Sequence, residues 1–482
     1  DLSKQKMDVS ILKGLVKLAE AVKLPKAIEG LLSGETVNNT ENRPALHSAL
    51  RLPVTASLVL NGQDVAPAVH DSLAKMSDVV SRIHSRQWRG FSGRAITDVV
   101  NIGVGGSDLG PFMACQALTE FAPEAANRLQ VHFVSSIDGT QLSDLLGSLR
   151  PETTLFILSS KSFTTIDTMS NAHTALQWML KDGVDKESVL AHHFIGISTN
   201  TQKMTAWGIP ESSQIVFWEW VGGRFSLWSA IGLPIALKVG MANFLSMLAG
   251  ANFIDEHFKN EPLATNLPVL LGLVGVWNAT FLDIRAHSIL PYDGRLKFFP
   301  SYLTQLEMES NGKSVDKSGQ PVAYNTCPVL WGEVGSNAQH AFYQLLHQGT
   351  QAVSCDFIAP VRRYKAYPDS GEAHKSLQSQ HQLTLANCLA QSRVLMLGDV
   401  STDSDENTPN FKRYRGNQPS TTLLLDELTP YSLGALVALY EHKVFVMSVL
   451  WDVNPFDQWG VELGKKIADK MTQALAGQAI DA

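Results

Sequence analysis

The chain has 482 residues, 44% apolar and 18% charged, with a formal net charge of −7. At roughly 100–200 residues per domain, this length predicts two or three domains with ample core. The acidic balance excludes nucleic acid as the main partner, since phosphate backbones are held by basic faces.

Cys115, Cys327, Cys355 and Cys388 form no C-x-x-C pair, and four cysteines in so long a chain are not a disulfide framework, so a reducing cytoplasm is expected. No stretch near Asp1 reads as the apolar region of a signal peptide, although the chain begins without Met. The first ~95 residues read as mostly helical, broken near "NNTENRP". Short β-rich runs then alternate with amphipathic stretches: "TDVVNIGV" (97–104), "LQVHFVSSID" (129–138), "TTLFILSS" (153–160), "AHHFIGIS" (191–198) and "SQIVFWEW" (213–220). Such alternation predicts a parallel sheet covered by helices. A helical stretch over roughly 225–290 follows. The alternation resumes at "CPVLWGEV", "AVSCDFIAP" and "TTLLLDEL", a second α/β unit in tandem. Residues 267–282 and 433–451 are apolar; Asn278 interrupts the first and Glu441-His442-Lys443 the second, so both are expected to be buried helices and no membrane partner is predicted. The polar segment 401–421 reads as a surface loop.

Ligands of open α/β sheets bind beyond the carboxyl ends of the strands, and unusual loops fall there. "GVGGSDLG" (103–110) opens a helix whose N–H groups suit an anion. It lacks the third glycine of a dinucleotide fingerprint, which is Asp108, and the last glycine of a nucleophile elbow, which is Leu109. In "SSKSFTT" (159–165), Ser160, Ser162, Thr164, Thr165 and a neighbouring Ser159 surround Lys161. Hydroxyls, helix N–H groups and one ammonium suit a phosphate dianion; the alternative is a helix cap. "VGGRFSLWSAIG" presents Arg224 after two glycines, a fixed charge for a developing oxyanion or a surface arginine. Gly312-Lys313-Ser314 resembles the tail of a nucleotide loop, but Glu307 stands where its first glycine belongs. Glu309 is expected to precede a Ser-Asn-Gly turn that presents it to a cleft. His340 is placed near the start of a helix after a strand; no metal-ligand pattern surrounds it, and no metal is expected. His192-His193 reads as non-functional. Gln458 and Lys465, seven apart, would share one helix face, with Gly460 and Gly464 marking close backbone approach.

Taken in order, "NIGVGGSDLGP", "SSKSFTT", "VGGRFSLWSAIG", "EMESNGKS", "GSNAQHAFYQLLHQGT" and "DQWGVELGKK" resemble the motifs of the phosphoglucose isomerase (glucose-6-phosphate isomerase) family, and "TENRPALHSALR" (40–51) resembles its N-terminal region. The likeness spans essentially the whole chain. It implies an α/β fold of two tandem sugar-isomerase (SIS) domains, each a mainly parallel sheet covered by helices on both faces. The implied division is a helical segment 1–95 packing on the second domain, a first SIS domain 96–235, a second 236–455, and a C-terminal segment 456–482. It also implies a homodimer without cofactor or metal that interconverts glucose 6-phosphate and fructose 6-phosphate in glycolysis and gluconeogenesis. Ser107, Ser160, Lys161, Ser162 and Thr165 would then hold the phosphate, Gln305 and Gln458 would contact the sugar, and Gly106 would also line the substrate. Glu309 would move the proton between C2 and C1, and Arg224 would stabilise the enediolate. His340 would assist ring opening with Lys465 beside it. Two positions depart from the family pattern: Ser162 stands where Thr is common, and Asp167, the expected partner of His340, where Glu is expected. The rivals are a non-catalytic sugar-phosphate sensor, which would not need Glu309, Arg224, His340 and Lys465 together, and a nicotinamide dehydrogenase, which Asp108 argues against.

Overall fold

The computed structural model describes residues 1–181, 183–364, 371–401, 405 and 407–475, without the side chains of residues 465, 466, 469, 470 and 473. Helix α1 (Val9–Ala21) starts at Asp8, whose carboxylate accepts the Ile11 N–H at 2.8 Å. Helix α2 (Leu24–Ser33) ends at Gly34 in the left-handed region, φ 86°, and α3 (Ala66–His84) completes the N-terminal segment.

The five apolar runs between 97 and 220 form one wholly parallel sheet: β1 (Asp98–Gly103), β2 (Gln130–Val134), β3 (Thr154–Ser159), β4 (Phe194–Ser198) and β5 (Gln214–Val216), in the order β2-β1-β3-β4-β5. Every residue of β3 and β4 is buried, as expected where helices cover both faces. Helices α4 (Leu109–Ala117) and α5 (Ile166–Met179) follow β1 and the 159–165 loop. His193 is structural: its ring bonds the Thr154 carbonyl at 2.6 Å and the Phe91 N–H at 2.8 Å.

Helices α6 (Leu233–Val239), α7 (Met241–Asn260) and α8 (Leu267–Val276) occupy most of the stretch read as helical, and a π-helical turn, Trp277–Phe281, ends it. The helical expectation fails beyond that turn. Residues Ala286–Pro291 form β6, an inner strand of a second parallel sheet. A short apolar run beside helices carries no period that separates strand from helix. β7 (Val329–Gly332), β8 (Ser354–Pro360) and β9 (Ser420–Leu425) complete this sheet in the order β9-β8-β6-β7. Helices α9 (Gly335–Ala341), α10 (Glu372–Leu397) and α11 (Pro430–Leu450) belong to this half, and α12 (Glu462–Leu475) follows. The N-terminal segment divides its packing: α1 lies on α8, and α2 on α7 and α11, whereas α3 lies against α6 and β5 of the first half. The segment 401–421, expected to be a surface loop, ends inside β9.

Helix α11 is long and apolar enough to cross a membrane, yet 89% of its most apolar stretch is buried in the fold. It packs along α7, where a Cβ on Gly434 would lie 1.9 Å from the Met247 carbonyl and one on Gly250 1.8 Å from that of Tyr431, so only glycine permits this approach. The charges interrupting α11 are paired inside the protein. Arg51 bonds Glu441 and Asp255, each at 2.6 Å; Trp228 Nε1 donates to Glu441 at 2.8 Å; His442 meets Asp255 at 2.7 Å; Lys443 meets Glu307 at 2.9 Å. Burial pushes the Glu441 carboxyl up to about 7 against the pull of Arg51, while for Asp255 burial is outweighed by the charge of Arg51 and the hydrogen bonds from His442 and Arg51, which hold it low.

Removing the cation leaves both carboxylates without compensation. Arg51→Leu is expected to destabilise the fold by about 3–5 kcal/mol, read as a lower denaturation midpoint.

Candidate active site

The end of β1 turns through a 3₁₀ segment, Gly105–Ser107, into α4. Gly105 has φ 58°, and a Cβ on Gly106 would lie 2.0 Å from the Gly223 carbonyl, so the glycine loop rests directly on the backbone that carries Arg224. Asn101, fully buried in β1, donates to the Ser107 carbonyl at 3.0 Å and accepts from Ser159 Oγ at 2.8 Å. It ties the glycine loop to the end of β3. The sequence reading missed it because an amide inside an apolar run looks like an ordinary strand residue.

The 159–165 loop is not a helix cap. Thr165 stands at the N-cap of α5 without a side-chain cap bond, so the hydroxyls are not consumed there. Ser160 and Thr165 instead bond each other at 3.2 Å, and Ser162 bonds Thr164 at 2.8 Å. Phe163 between them has φ 52°, a left-handed conformation that costs a non-glycine residue of order 1–3 kcal/mol when the surroundings impose it. Its buried ring supplies the compensating contact. Lys161 donates to the carbonyls of Glu219 at 2.7 Å and Val221 at 2.9 Å and lies 3.3 Å from the Glu219 carboxylate. Burial, then the charge of Arg43, lower its ammonium to about 8, partly opposed by Glu219. Arg43 and Glu219 also escaped the sequence reading; "FWEW" immediately before "VGGR" was the available signal.

These groups line a cleft of about 880 Å³ whose wall includes Lys161, Ser162, Thr165, Asp167, Gln458 and the Gly464 side of α12. A cavity of about 480 Å³ beside Asp108, Phe112 and Phe298 contains none of the expected residues; burial raises the Asp108 carboxyl there to about 6.

Arg224 lies behind Gln458, its side chain almost wholly buried. All of its donors are engaged. Nε donates to Ser310 Oγ at 2.7 Å, Nη1 to Gln458 Oε1 at 3.1 Å and faces Glu309 Oε2 at 3.3 Å, and Nη2 donates to the carbonyls of Asp457, at 3.1 Å, and Pro455. Glu309 does not precede a turn, as expected, but closes a π-helical segment, Thr304–Glu309, with Ser310 and Asn311 continuing as helix. Asn311 Nδ2 donates to the Val444 carbonyl at 3.0 Å and anchors that end in the core. Gln305 and Glu309, four apart, share a face, and the Gln305 amide lies over Gly105. Among the described residues, the buried Gln305 Oε1 has no hydrogen-bond partner.

The remaining expectations divide. Asp167 is half-buried in the first turn of α5, at the cleft wall. His340 is the penultimate residue of α9, not near its start; it is exposed and, among the described residues, makes no hydrogen bond or ion pair. Gln458 precedes a 3₁₀ turn, Trp459–Val461, and α12 begins only at Glu462, so Gln458 and Lys465 do not share a continuous helix face. The Lys465 side chain lies outside the described residues. A Cβ on Gly460 or Gly464 would meet nothing within 4 Å, so neither marks a close backbone approach within this chain.

The chain matches the phosphoglucose isomerase family over residues 1–481. Glucose-6-phosphate isomerase 2 of Chromohalobacter salexigens is 61% identical over 486 residues, spanning 99% of this chain and 87% of that protein. The glucose-6-phosphate isomerase of Psychrobacter cryohalolentis is also 61% identical, over 98% of this chain and 86% of its own. The crystal structure of a glucose-6-phosphate isomerase from Chlamydia trachomatis superposes with a TM-score of 0.86 at 30% identity, over 99% of this chain and 88% of that one. The chain belongs to the phosphoglucose isomerase family.

Proposed function

We propose that this protein is an aldose–ketose isomerase that interconverts glucose 6-phosphate and fructose 6-phosphate, with no need of a metal or cofactor. The observation that carries the reading is the Arg224–Glu309 pair at 3.3 Å, joined through Gln458 to the cleft of the Ser160–Thr165 loop. A base and a fixed cation thus adjoin a site suited to phosphate. Phosphate binding far from the reacting carbons supplies orientation. Glu309 Oε2 faces Arg224, and Oε1 is left to take the C2 proton of the open-chain sugar and return it to C1. Negative charge developing on the enediolate meets a guanidinium already locked by its other hydrogen bonds, so little reorganisation is required. Ser107 and Gly106 bring a glycine loop to the same place, and the unpartnered Gln305 Oε1 suits a sugar hydroxyl. A non-catalytic sensor would gain nothing from a base paired with a buried arginine.

His340, tuned by Asp167 and flanked by Lys465, is assigned to ring opening. We infer a homodimer as the working form. His340 is exposed and makes no bond to Glu309 or Arg224 within its own chain, so a second copy is the natural route by which it reaches a cleft. The free cysteines support a cytoplasmic setting.

Three outcomes test this reading. With EDTA present, fructose 6-phosphate is converted to glucose 6-phosphate in a coupled assay, and Glu309→Gln loses roughly 10²-fold or more in kcat, the scale of a general base; an equally active variant rules Glu309 out. Lys161 is charged below its value of about 8 and neutral above it, so attraction for the phosphate dianion is present below that pH and lost above it. kcat/KM is therefore expected to fall on the alkaline side with a midpoint near 8, and Lys161→Met to flatten that limb. Sedimentation at working concentration is expected to give a dimer, and mixing inactive Glu309→Gln and His340→Ala chains to restore activity; a stable, active monomer contradicts the dimer.

A further inference from the structure

Lys313, in the segment that resembles a nucleotide loop, has no role in the reading above. Its ammonium points away from solvent and into the end of the helix that carries Glu309. Nζ donates to the carbonyls of Glu309 at 2.9 Å, Ser310 at 3.0 Å and Asp457 at 3.0 Å, and lies 3.2 Å from Asp457 Oδ1. Three N–H donors thus meet three carbonyls, with a carboxylate as counter-charge. The first two acceptors are terminal helix carbonyls that have no partner within the helix. The third belongs to the residue before Gln458 and is the same oxygen that Arg224 Nη2 approaches at 3.1 Å. Gly312 permits the fold-back: its N–H bonds the Met308 carbonyl at 2.9 Å, and a Cβ there would lie 2.4 Å from that oxygen. The Asp457 carboxylate is itself fixed from the far side by Thr40 Oγ1 at 2.5 Å and Asn454 Nδ2 at 3.0 Å. The ammonium therefore ties the end of its own helix to the distant Asp457, which Thr40 and Asn454 hold from behind.

We propose that Lys313 is a positioning residue for isomerisation, locking the base Glu309 and the sugar-contacting Gln458 into one rigid unit through their backbones. The proposal rests on Glu309 being the base. Without Lys313, the carbonyls of Glu309 and Asp457 lose their shared donor, and the carboxylate and the Gln458 loop are free to separate. A displacement of about 1 Å at a reacting group costs up to ~10²-fold in rate. The phosphate loop, held by its own bonds, is untouched.

The test compares wild type, Glu309→Gln, Lys313→Met, which has no donor, and Lys313→Gln, which keeps N–H donors one bond shorter. Two quantities are read per folded chain: kcat against KM for fructose 6-phosphate, and the fraction of deuterium carried from C2 of labelled glucose 6-phosphate to C1 of the product. Lys313→Met is expected to lose roughly 10–100-fold in kcat, with KM changed by less than about threefold. Its deuterium transfer should drop as the loosened carboxyl exchanges with water, and Lys313→Gln should fall between it and wild type. If Lys313→Met does not fold, the same quantities are read on Lys313→Gln. A lysine that only supports the fold would lower the yield or melting temperature and leave the transfer fraction at the wild-type value; that result overturns the proposal. If Glu309→Gln is fully active, the base assignment and the role of Lys313 fall together. If Glu309→Gln is inactive while the Lys313 variants transfer label as wild type does, only the role of Lys313 falls.

Discussion

The site depends on the guanidinium of Arg224 being buried with every donor engaged. A charge withdrawn from water is costly unless its hydrogen bonds are remade, and here five acceptors from two chain segments remake them. The same requirement determines what surrounds it. The Glu309 helix end must offer Ser310 Oγ, the 455–458 segment must turn its carbonyls inward, and Gly106 must leave room for the Gly223 backbone. Glu309 and Gln458 are near one another because each helps to satisfy one arginine, and the glycine loop packs against the backbone that carries it.

That arginine is backed by apolar contact leading to a second buried charge cluster. Phe225 lies under the guanidinium at 5.6 Å and stacks on His47 at 4.5 Å, and His47 is 3.9 Å from Glu441. Glu441 in turn holds Arg51 and Trp228. Burial and the nearby charge of Arg51 keep the His47 imidazole well below its usual range, so it is neutral at this junction. The fold thus sets the buried Arg224 and the buried Arg51 on opposite sides of an aromatic layer made by Phe225 and His47.

Much of this was legible in the sequence where one residue type at one place suffices. Continuous apolar runs such as β3 and β4 announce strands buried on both faces, and hydroxyls crowded around Lys161 do fall with it on the wall of one cleft. What was not legible depends on tertiary contacts. Strand β6 looked like the end of a helical stretch because its partners β7 and β8 come from residues 329–332 and 354–360. The π-helical turn under Glu309 is held by Arg224 on Ser310 and by Asn311 on Val444, neither of which a local pattern can reveal. The shared face of Gln458 and Lys465 assumed an unbroken helix, but a 3₁₀ turn intervenes and rotates Gln458 toward Arg224.

The backbone state of Glu309 is the deepest of these. A regular α-helix would bond each N–H four residues back, whereas the Thr304–Glu309 segment shifts that register by one residue. Such a shift is unfavourable by itself and persists only when side chains pay for it. Here Arg224 grips the far end of the turn at Ser310, Asn311 pins it to α11, and Lys443, on the same helix, draws Glu307 into the core at 2.9 Å. Glu307 and Glu309 lie two residues apart with opposite fates, one buried against a lysine and one left partly exposed beside an arginine. The carboxylate that faces the core fixes the turn, and that fixed turn holds the other carboxylate beside Arg224 and partly open to solvent.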